Sequence, residues 1–119
     1  MKEINYYDGF ESEPEIKFVM NTAENSSVIR MWVGYFDEIM RMIPPVNDEW
    51  IGITYQYNME EGWYDESPWV IPELNTLRNQ IELAKDSVTD TTIKSICANL
   101  VSMIDDALQT NNQIFIVYE

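Results

Sequence analysis

Adjacent carboxylates are the side chains in this sequence with the most evident capacity for chemistry. Two pairs, Glu60-Glu61 and Asp65-Glu66, lie in the stretch NMEEGWYDESPW (58–69). Two carboxylates hydrolyse a glycosidic bond when an apolar site keeps one of them protonated. Glu61 or Glu66, beside Trp63 and Trp69, is the only place where we consider this chemistry, because aromatic faces also stack on sugars. We nevertheless expect no enzyme, because 119 residues leave little room for a substrate cleft beside a core.

The composition argues against most other catalytic and metal-binding sites. The sequence has no histidine, which is the commonest general base and metal ligand. Its single cysteine, Cys97, lies in an apolar helical pattern, so we expect a buried, unreactive thiol and no disulfide. Residues 58–66 contain oxygen ligands and a glycine but lack the spacing of a calcium-binding loop. We therefore predict neither a metal site nor a cofactor.

The charge of the chain limits the class of partner. There are 21 acidic residues against 7 basic ones, which gives a net charge of -14. DNA, RNA and anionic membranes are bound through Lys and Arg, so we expect no nucleic-acid or membrane partner, whereas a basic protein would be attracted. No apolar run approaches the ~20 residues that cross a bilayer. The sequence begins MKEINYYDGFESEPE, without the apolar core of a signal peptide, so we expect a cytoplasmic protein.

One interval combines this negative charge with aromatic residues. No Lys or Arg occurs between Arg41 and Arg78, yet the interval carries seven carboxylates and three of the four tryptophans. Solvated loops have no need of Trp and cores exclude unpaired carboxylates, but protein-binding surfaces accommodate both. We therefore predict an exposed partner-binding site made of Asp48, Glu60, Glu61, Trp63, Tyr64, Asp65, Glu66 and Trp69. The alternative is that Trp63 and Trp69 fold back over the core and leave only the carboxylates in water.

Short strands and one long helix are predicted in the first half of the chain. Residues 2–7 and 16–21 are expected to form an N-terminal hairpin around a polar, acidic loop. Residues 27–43 carry apolar side chains at helical spacing up to Pro44-Pro45, which cannot continue a helix. Residues 49–58, EWIGITYQYN, alternate in polarity and predict a strand.

Two helices and a final strand are predicted in the second half. One helix begins at Pro72 and carries an apolar stripe to Val88, and a second follows the connector TDTT with its stripe over 93–108. The apolar run QIFIVYE (113–119) predicts a strand covered on both faces. We predict an α+β fold for residues 1–119 as a single domain, with a sheet of about four mostly antiparallel strands and about three helices packed on it. The alternative is a mostly helical domain with a small sheet.

The stretches DEWIGITYQYNMEEGWYDESPW (48–69) and DGFESEPE (8–15) give the chain a family resemblance. A short, strongly acidic, histidine-free domain of this kind resembles the immunity proteins of bacterial polymorphic toxin and contact-dependent growth inhibition systems. The resemblance implies a protein without catalysis of its own. Such a protein binds a cognate toxin domain, often a basic nuclease, and covers its active site.

Two other classes of function fit parts of the same pattern. A nucleic-acid mimic that inhibits a DNA-binding enzyme would spread carboxylates at phosphate-like intervals over its whole surface and expose few aromatic residues. An adaptor subunit would use the apolar helix 27–43 as a contact face, although a core helix is the commoner outcome of such a pattern. We expect a monomer rather than a homodimer.

Overall fold

The computed structural model describes residues 2–119. Within this range the chain forms five strands, four α-helices and one 3-10 helix, so the predicted α+β class is confirmed and the predicted numbers of strands and helices were low. In chain order the elements are β1 (Lys2–Tyr6), β2 (Glu15–Asn21), β3 (Ser26–Trp32), α1 (Val33–Arg41), α2 (Ile53–Met59), the 3-10 helix (Trp63–Glu66), β4 (Trp69–Val70), α3 (Leu74–Ser87), α4 (Thr91–Thr110) and β5 (Ile114–Tyr118).

The strands form one mixed sheet in the order β1-β3-β2-β5-β4. Strands β2 and β3 are an antiparallel hairpin, β5 lies antiparallel to both β2 and β4, and β1 runs parallel to β3. The predicted hairpin between residues 2–7 and 16–21 is therefore wrong, although both strands exist. Strand β3 takes the position beside β2 that β1 was expected to occupy. The acidic loop between β1 and β2, residues 7–14, is long enough to cross the end of β3.

The predicted helix over residues 27–43 is also wrong, because two elements share that stretch. Residues 26–32 pair with β2 as a strand that places Ile29 and Met31 in the core, and the helix begins only at Val33. The sequence looked apolar all round because a period of two passes directly into a period of 3.6 without a turn residue between them. Helix α1 then buries Phe36, Ile39 and Met40, so its apolar side belongs to the core and does not form a free contact face.

The predicted strand over residues 49–58 is a helix, α2, from Ile53 to Met59. The alternation of apolar residues was misleading, since Ile53 is buried while Tyr55 is 48% exposed. Helical spacing instead turns Ile53 and Tyr57 to the same side, toward the core. Gly52 begins the helix with a φ of 56°, a conformation that favours glycine and ends any extended strand at that point.

The predicted helical hairpin is confirmed as α3 and α4. Leu77, Ile81 and Ala84 of α3 are almost fully buried, as is the stripe of α4 that includes Cys97. Asp90 begins α4 by accepting a hydrogen bond from the Ile93 N–H at 3.0 Å, which satisfies one of the free backbone donors of the first turn. An ion pair between Arg78 and Asp105 joins the two helices at 2.6 Å.

The core lies between the helices and one face of the sheet. Strand residues that point to the helices are almost inaccessible, whereas their neighbours on the other face, such as Val19, Val28 and Phe115, are half-buried. The same alternation holds in β5, which was predicted to be covered on both faces. One face of the sheet is therefore left without a helical layer.

Candidate protein-binding surface

The eight predicted site residues divide sharply by exposure. Tyr64 is 44% exposed, as expected for a residue that contacts a partner. The five carboxylate side chains of the set are also exposed: Asp48, Glu60, Glu61, Asp65 and Glu66. Trp63 is only 8% exposed and Trp69 is half-buried. The prediction of an exposed indole is wrong for Trp63, and the alternative, in which the tryptophans fold back over the core, describes this part of the segment.

Trp63 is buried because it lies at the centre of an aromatic cluster. Its ring centroid is 5.6 Å from Phe36 and from Tyr57, 5.9 Å from Tyr64 and Tyr118, and 6.4 Å from Trp69. Most of these pairs are tilted or edge-to-face, which are the favourable arrangements of aromatic rings. The cluster fixes residues 58–69 to α1 and to the end of β5.

The backbone of the segment turns tightly around the buried indole. The Trp63 N–H donates to the Glu60 carbonyl at 3.2 Å, and the Asp65 N–H donates to the Gly62 carbonyl at 2.8 Å. Gly62 has a φ of 72°, in the left-handed region that favours glycine. This short turn buries Trp63 while the carboxylates before and after it project into solvent. Beyond it, Ser67 Oγ donates to the Tyr118 carbonyl at 3.3 Å and β4 joins the sheet.

Tyr57 connects the aromatic cluster to helix α1 through a polar contact. Its hydroxyl donates to Asp37 Oδ1 at 2.7 Å. Burial, and then the hydrogen bond to the Asp37 carboxylate, raise the pKa of Tyr57 to about 12. The tyrosine therefore stays neutral and keeps its hydrogen bond over the physiological range of pH.

Asp48 is separate from the other carboxylates of the predicted site. It lies in a turn whose flanking residues, Val46 and Glu49, exchange backbone hydrogen bonds at 2.8 and 2.9 Å. Asp48 itself has a φ of 66°, a left-handed conformation that aspartate tolerates better than most residues. The structure thus joins Glu60, Glu61, Asp65 and Glu66 in one segment and leaves Asp48 in a separate turn before α2.

The exposed carboxylates of the predicted site have no basic partner among residues 2–119. Five of the seven basic residues form ion pairs, with partners Glu3, Glu15, Glu38, Glu82, Asp105 and Glu119. Within residues 2–119, no Lys or Arg side chain lies within ion-pair distance of Asp48 or of a carboxylate of residues 58–69. The negative field of this segment is consequently directed at solvent.

The sheet pairing brings residues 8–15, the second acidic loop, to the same end of the sheet as residues 58–69. We call this the acidic end: β1, β3 and β5 end there, and β2 and β4 begin there. Five strands at about 4.8 Å spacing make the acidic end about 19 Å wide. One partner of ordinary interface size can therefore cover the whole acidic end. Asp8, Glu11 and Glu13 in the loop after β1 are exposed at this end, and sequence reasoning did not join them to residues 58–69.

One residue of the second acidic loop does not belong to the exposed set. Glu15 is buried, and its Oε2 accepts from Arg30 Nε at 2.5 Å. The Arg30 guanidinium also lies over the Tyr7 ring, 5.7 Å from its centroid, and burial raises the pKa of Tyr7. Glu15 and Arg30 therefore form a structural ion pair at the base of the loop.

The carboxylates of residues 58–69 do not meet the requirement of glycoside hydrolysis. Glu61 and Glu66, the carboxylates nearest the tryptophans, are both exposed, whereas glycoside hydrolysis needs one carboxylate in an apolar site. Burial raises the pKa of the Cys97 thiol to about 11, as expected for an unreactive core cysteine. Among residues 2–119, no three metal-ligating side chains are grouped to hold an ion. No helix in the same range has the length and apolarity to span a bilayer.

Comparison with known proteins gives no family for the chain. No family model, no curated protein and no solved structure matches it. The resemblance to immunity proteins therefore stays a prediction.

Proposed function

We propose that this protein is a non-catalytic inhibitor that binds a basic protein through the acidic end of its sheet. The observation that carries the proposal is the set of exposed carboxylates in residues 58–69, which have no basic partner among residues 2–119. Unpaired negative charge held at one end of a fold costs self-repulsion. A complementary positive surface would relieve that cost and would also gain speed of encounter.

The specific form that we propose is an immunity protein for a nuclease-like toxin domain. Enzymes that cleave nucleic acid hold phosphates with Lys and Arg side chains. Carboxylates placed opposite those side chains would occupy the substrate site without any reaction. The bacterial cytoplasm, where such a toxin would act, is the compartment that this function implies.

The aromatic cluster supports this proposal in a different way from the one that the sequence suggested. Trp63 would not touch the partner, because it is buried. It would instead hold the turn around Glu60, Glu61 and Asp65 in one conformation before binding. A preorganised loop loses less conformational entropy when the complex forms, which favours affinity. Tyr64, which is exposed next to these carboxylates, remains a candidate for direct contact.

The distribution of charge favours this function over nucleic-acid mimicry. Seven exposed carboxylates lie in the two acidic loops at one end of the sheet, the connecting loops at the opposite end carry Glu24 and Glu73, and the other exposed carboxylates are dispersed over separate elements. A mimic of a duplex would need carboxylates arrayed along its full length. We therefore propose a localised protein interface, formed by a monomer.

The proposal is tested with two variants of identical net charge. In the site variant, Glu60, Glu61 and Glu66 are changed to Gln and Asp65 to Asn. In the control variant, four exposed carboxylates outside both acidic loops are neutralised in the same manner: Glu24, Glu73, Asp86 and Asp106. Tagged wild-type protein, site variant and control variant are each used to capture partners from the source cells.

The expected result is one basic protein that the wild type and the control variant retain and the site variant loses. Addition of purified wild-type protein should then abolish the nuclease or other toxic activity of that partner. A partner that is acidic, or that the site variant retains as well as the control does, would contradict the proposal. Equal loss from both variants would show that only net charge matters.

A further inference from the structure

A cleft of about 510 Å³ lies between α1 and the turn that joins α3 to α4. This volume is in the range of sites that hold small ligands or single side chains. The side chains that decide its chemistry come from both elements: Trp32, Tyr35, Asp37, Glu38, Val88 and Asp90. We call it the α1 cleft, and none of these residues belongs to the predicted partner-binding set.

One wall of the α1 cleft is aromatic and firmly held. Phe10 stacks on Trp32 with centroids 4.6 Å apart and planes 4° from parallel, and Tyr35 meets Trp32 edge-on at 5.4 Å. Gly34 lies so close to the indole that a Cβ at this position would overlap the ring. The wall therefore depends on glycine at residue 34 and presents a fixed apolar surface to an occupant.

Three carboxylates also line the cleft, two from α1 and one from the α3–α4 turn, and each is already oriented by a bond within the protein. Asp37 Oδ1 accepts from the Tyr57 hydroxyl at 2.7 Å, and Asp90 Oδ1 accepts from the Ile93 N–H at 3.0 Å. Glu38 pairs with Arg41, the one cation that lines the cleft. Within residues 2–119 the second oxygens of Asp37 and Asp90 accept no hydrogen bond. Arg41 also interacts electrostatically with Asp37, but three carboxylates against one guanidinium leave the cleft with a net charge of -2.

We propose that the α1 cleft binds an arginine side chain from the basic partner. This inference rests on the proposed function, and it names a part of the partner that the acidic end alone does not. The planar guanidinium suits carboxylate oxygens and packs on aromatic surfaces, while its methylene stem covers apolar side chains such as Val88.

The position of the cleft also favours a single partner for both sites. Asp37 is bonded to Tyr57 in α2, and α2 leads directly into residues 58–69. Trp32, at the end of β3, stacks on Phe10 of the second acidic loop. The α1 cleft consequently borders both acidic loops, and a partner that covers the acidic end would place side chains at its mouth.

The test uses small probes on the whole protein, so it does not require the partner. Amide proton–nitrogen NMR spectra are recorded during titration with n-butylguanidinium, which mimics an arginine side chain, and separately with n-butylurea, its neutral analogue. We expect saturable shifts for the amides of Trp32, Gly34 and Val88 and for the Trp32 indole N–H with the cation only. Asn caps a helix as well as Asp does, so Asp90→Asn removes one charge while it keeps the first turn of α4.

Asp90→Asn should weaken binding of n-butylguanidinium about twofold to fivefold, the effect of one exposed ion pair. Asp106→Asn, which removes the same charge from the exposed surface of α4, should leave it unchanged. Equal shifts with n-butylurea, cation shifts confined to residues 58–69, or equal affinities of the two variants would overturn the inference. The proposed function is judged separately: it fails when the site variant keeps the partner, even if the cleft binds the cation.

Discussion

Replacement of Trp63 by alanine separates a buried indole from an exposed one more sharply than any other substitution. Trp63 is 8% exposed and has five aromatic neighbours with centroids between 5.6 and 6.4 Å. A buried tryptophan covers about 200 Å² of surface, which at ~25 cal/mol per Å² corresponds to about 5 kcal/mol as an upper estimate. Measured Trp→Ala substitutions in cores cost ~3–5 kcal/mol, so we expect a loss of about 4 kcal/mol.

The assay is urea unfolding followed by far-ultraviolet circular dichroism. With a slope of about 1.5 kcal/mol per M, the loss should lower the midpoint by roughly 2–3 M. Domains of this kind are stable by ~5–15 kcal/mol, so the variant should still fold in the absence of urea. Trp63→Phe keeps one ring in the cluster and should cost about half as much.

Tyr64→Ala is the matched control for Trp63→Ala. Tyr64 is the next residue, is aromatic and contacts the same cluster, but it is 44% exposed. We expect its loss to cost about 1 kcal/mol, as for a partly exposed side chain. Equal effects of Trp63→Ala and Tyr64→Ala, or a cost below ~1 kcal/mol for Trp63→Ala, would refute the buried cluster.

Three further predictions follow from buried groups. Cys97, with a pKa raised to about 11, should not react with a thiol reagent at neutral pH until the protein is unfolded, and rapid labelling of native protein would contradict its burial. Glu15→Gln should destabilise the fold by ~2 kcal/mol, because Arg30 loses its buried hydrogen-bonded partner and keeps only Glu3 at 3.7 Å, whereas Glu119→Gln breaks an exposed pair and should cost below ~1 kcal/mol; equal effects in urea unfolding would show that Glu15 is not specially buried. Tyr57 has a pKa raised from 10.0 to about 12, so its contribution to stability is complete below pH 10.0 and is lost as pH rises toward 12; Tyr57→Phe should remove the highest-pKa tyrosine from an ultraviolet titration, and an unchanged titration would contradict the assignment.

The helical hairpin and strands β2 and β5 could be predicted because their local signals agree with the fold. Residues of α3 and α4 recur at spacings of three and four, and Asp90 has the side chain that begins a helix. Strands β2 and β5 have unbroken apolar positions on the face that meets the helices. In these elements propensity, periodicity and burial all favour the same structure.

The middle of the chain was mispredicted because tertiary packing decides its structure. At Trp32–Val33 a strand becomes a helix with no turn residue, so the sequence gives no sign of the boundary. At residues 53–59 an alternating pattern forms a helix because the aromatic cluster takes Tyr57 inward at helical spacing. The positive φ of Gly52 marks the change, and a glycine within an alternating pattern was the signal available in the sequence.

The exposure of the candidate site residues was predicted in part. Charge and the absence of Lys and Arg identified the exposed carboxylates correctly, because unpaired carboxylates belong in water. The same reasoning placed Trp63 outside, since it treated a loop as uniformly exposed. The two acidic loops lie at one end of the sheet because β1 runs parallel to β3. No local sequence pattern specifies such pairing between strands that are distant in the chain.

The central claim is that the carboxylates of residues 58–69 attract the partner, and the association rate across a salt series tests it most directly. Wild type, site variant and control variant are compared from about 0.01 M to 0.15 M ionic strength, where the Debye length falls from ~30 to ~8 Å. Wild type and control variant should associate fast at low salt and slow steeply with added salt. The site variant, which keeps Asp8, Glu11 and Glu13 at the acidic end, should associate more slowly and lose less of its rate with added salt. Identical salt dependence in the site and control variants would contradict the account.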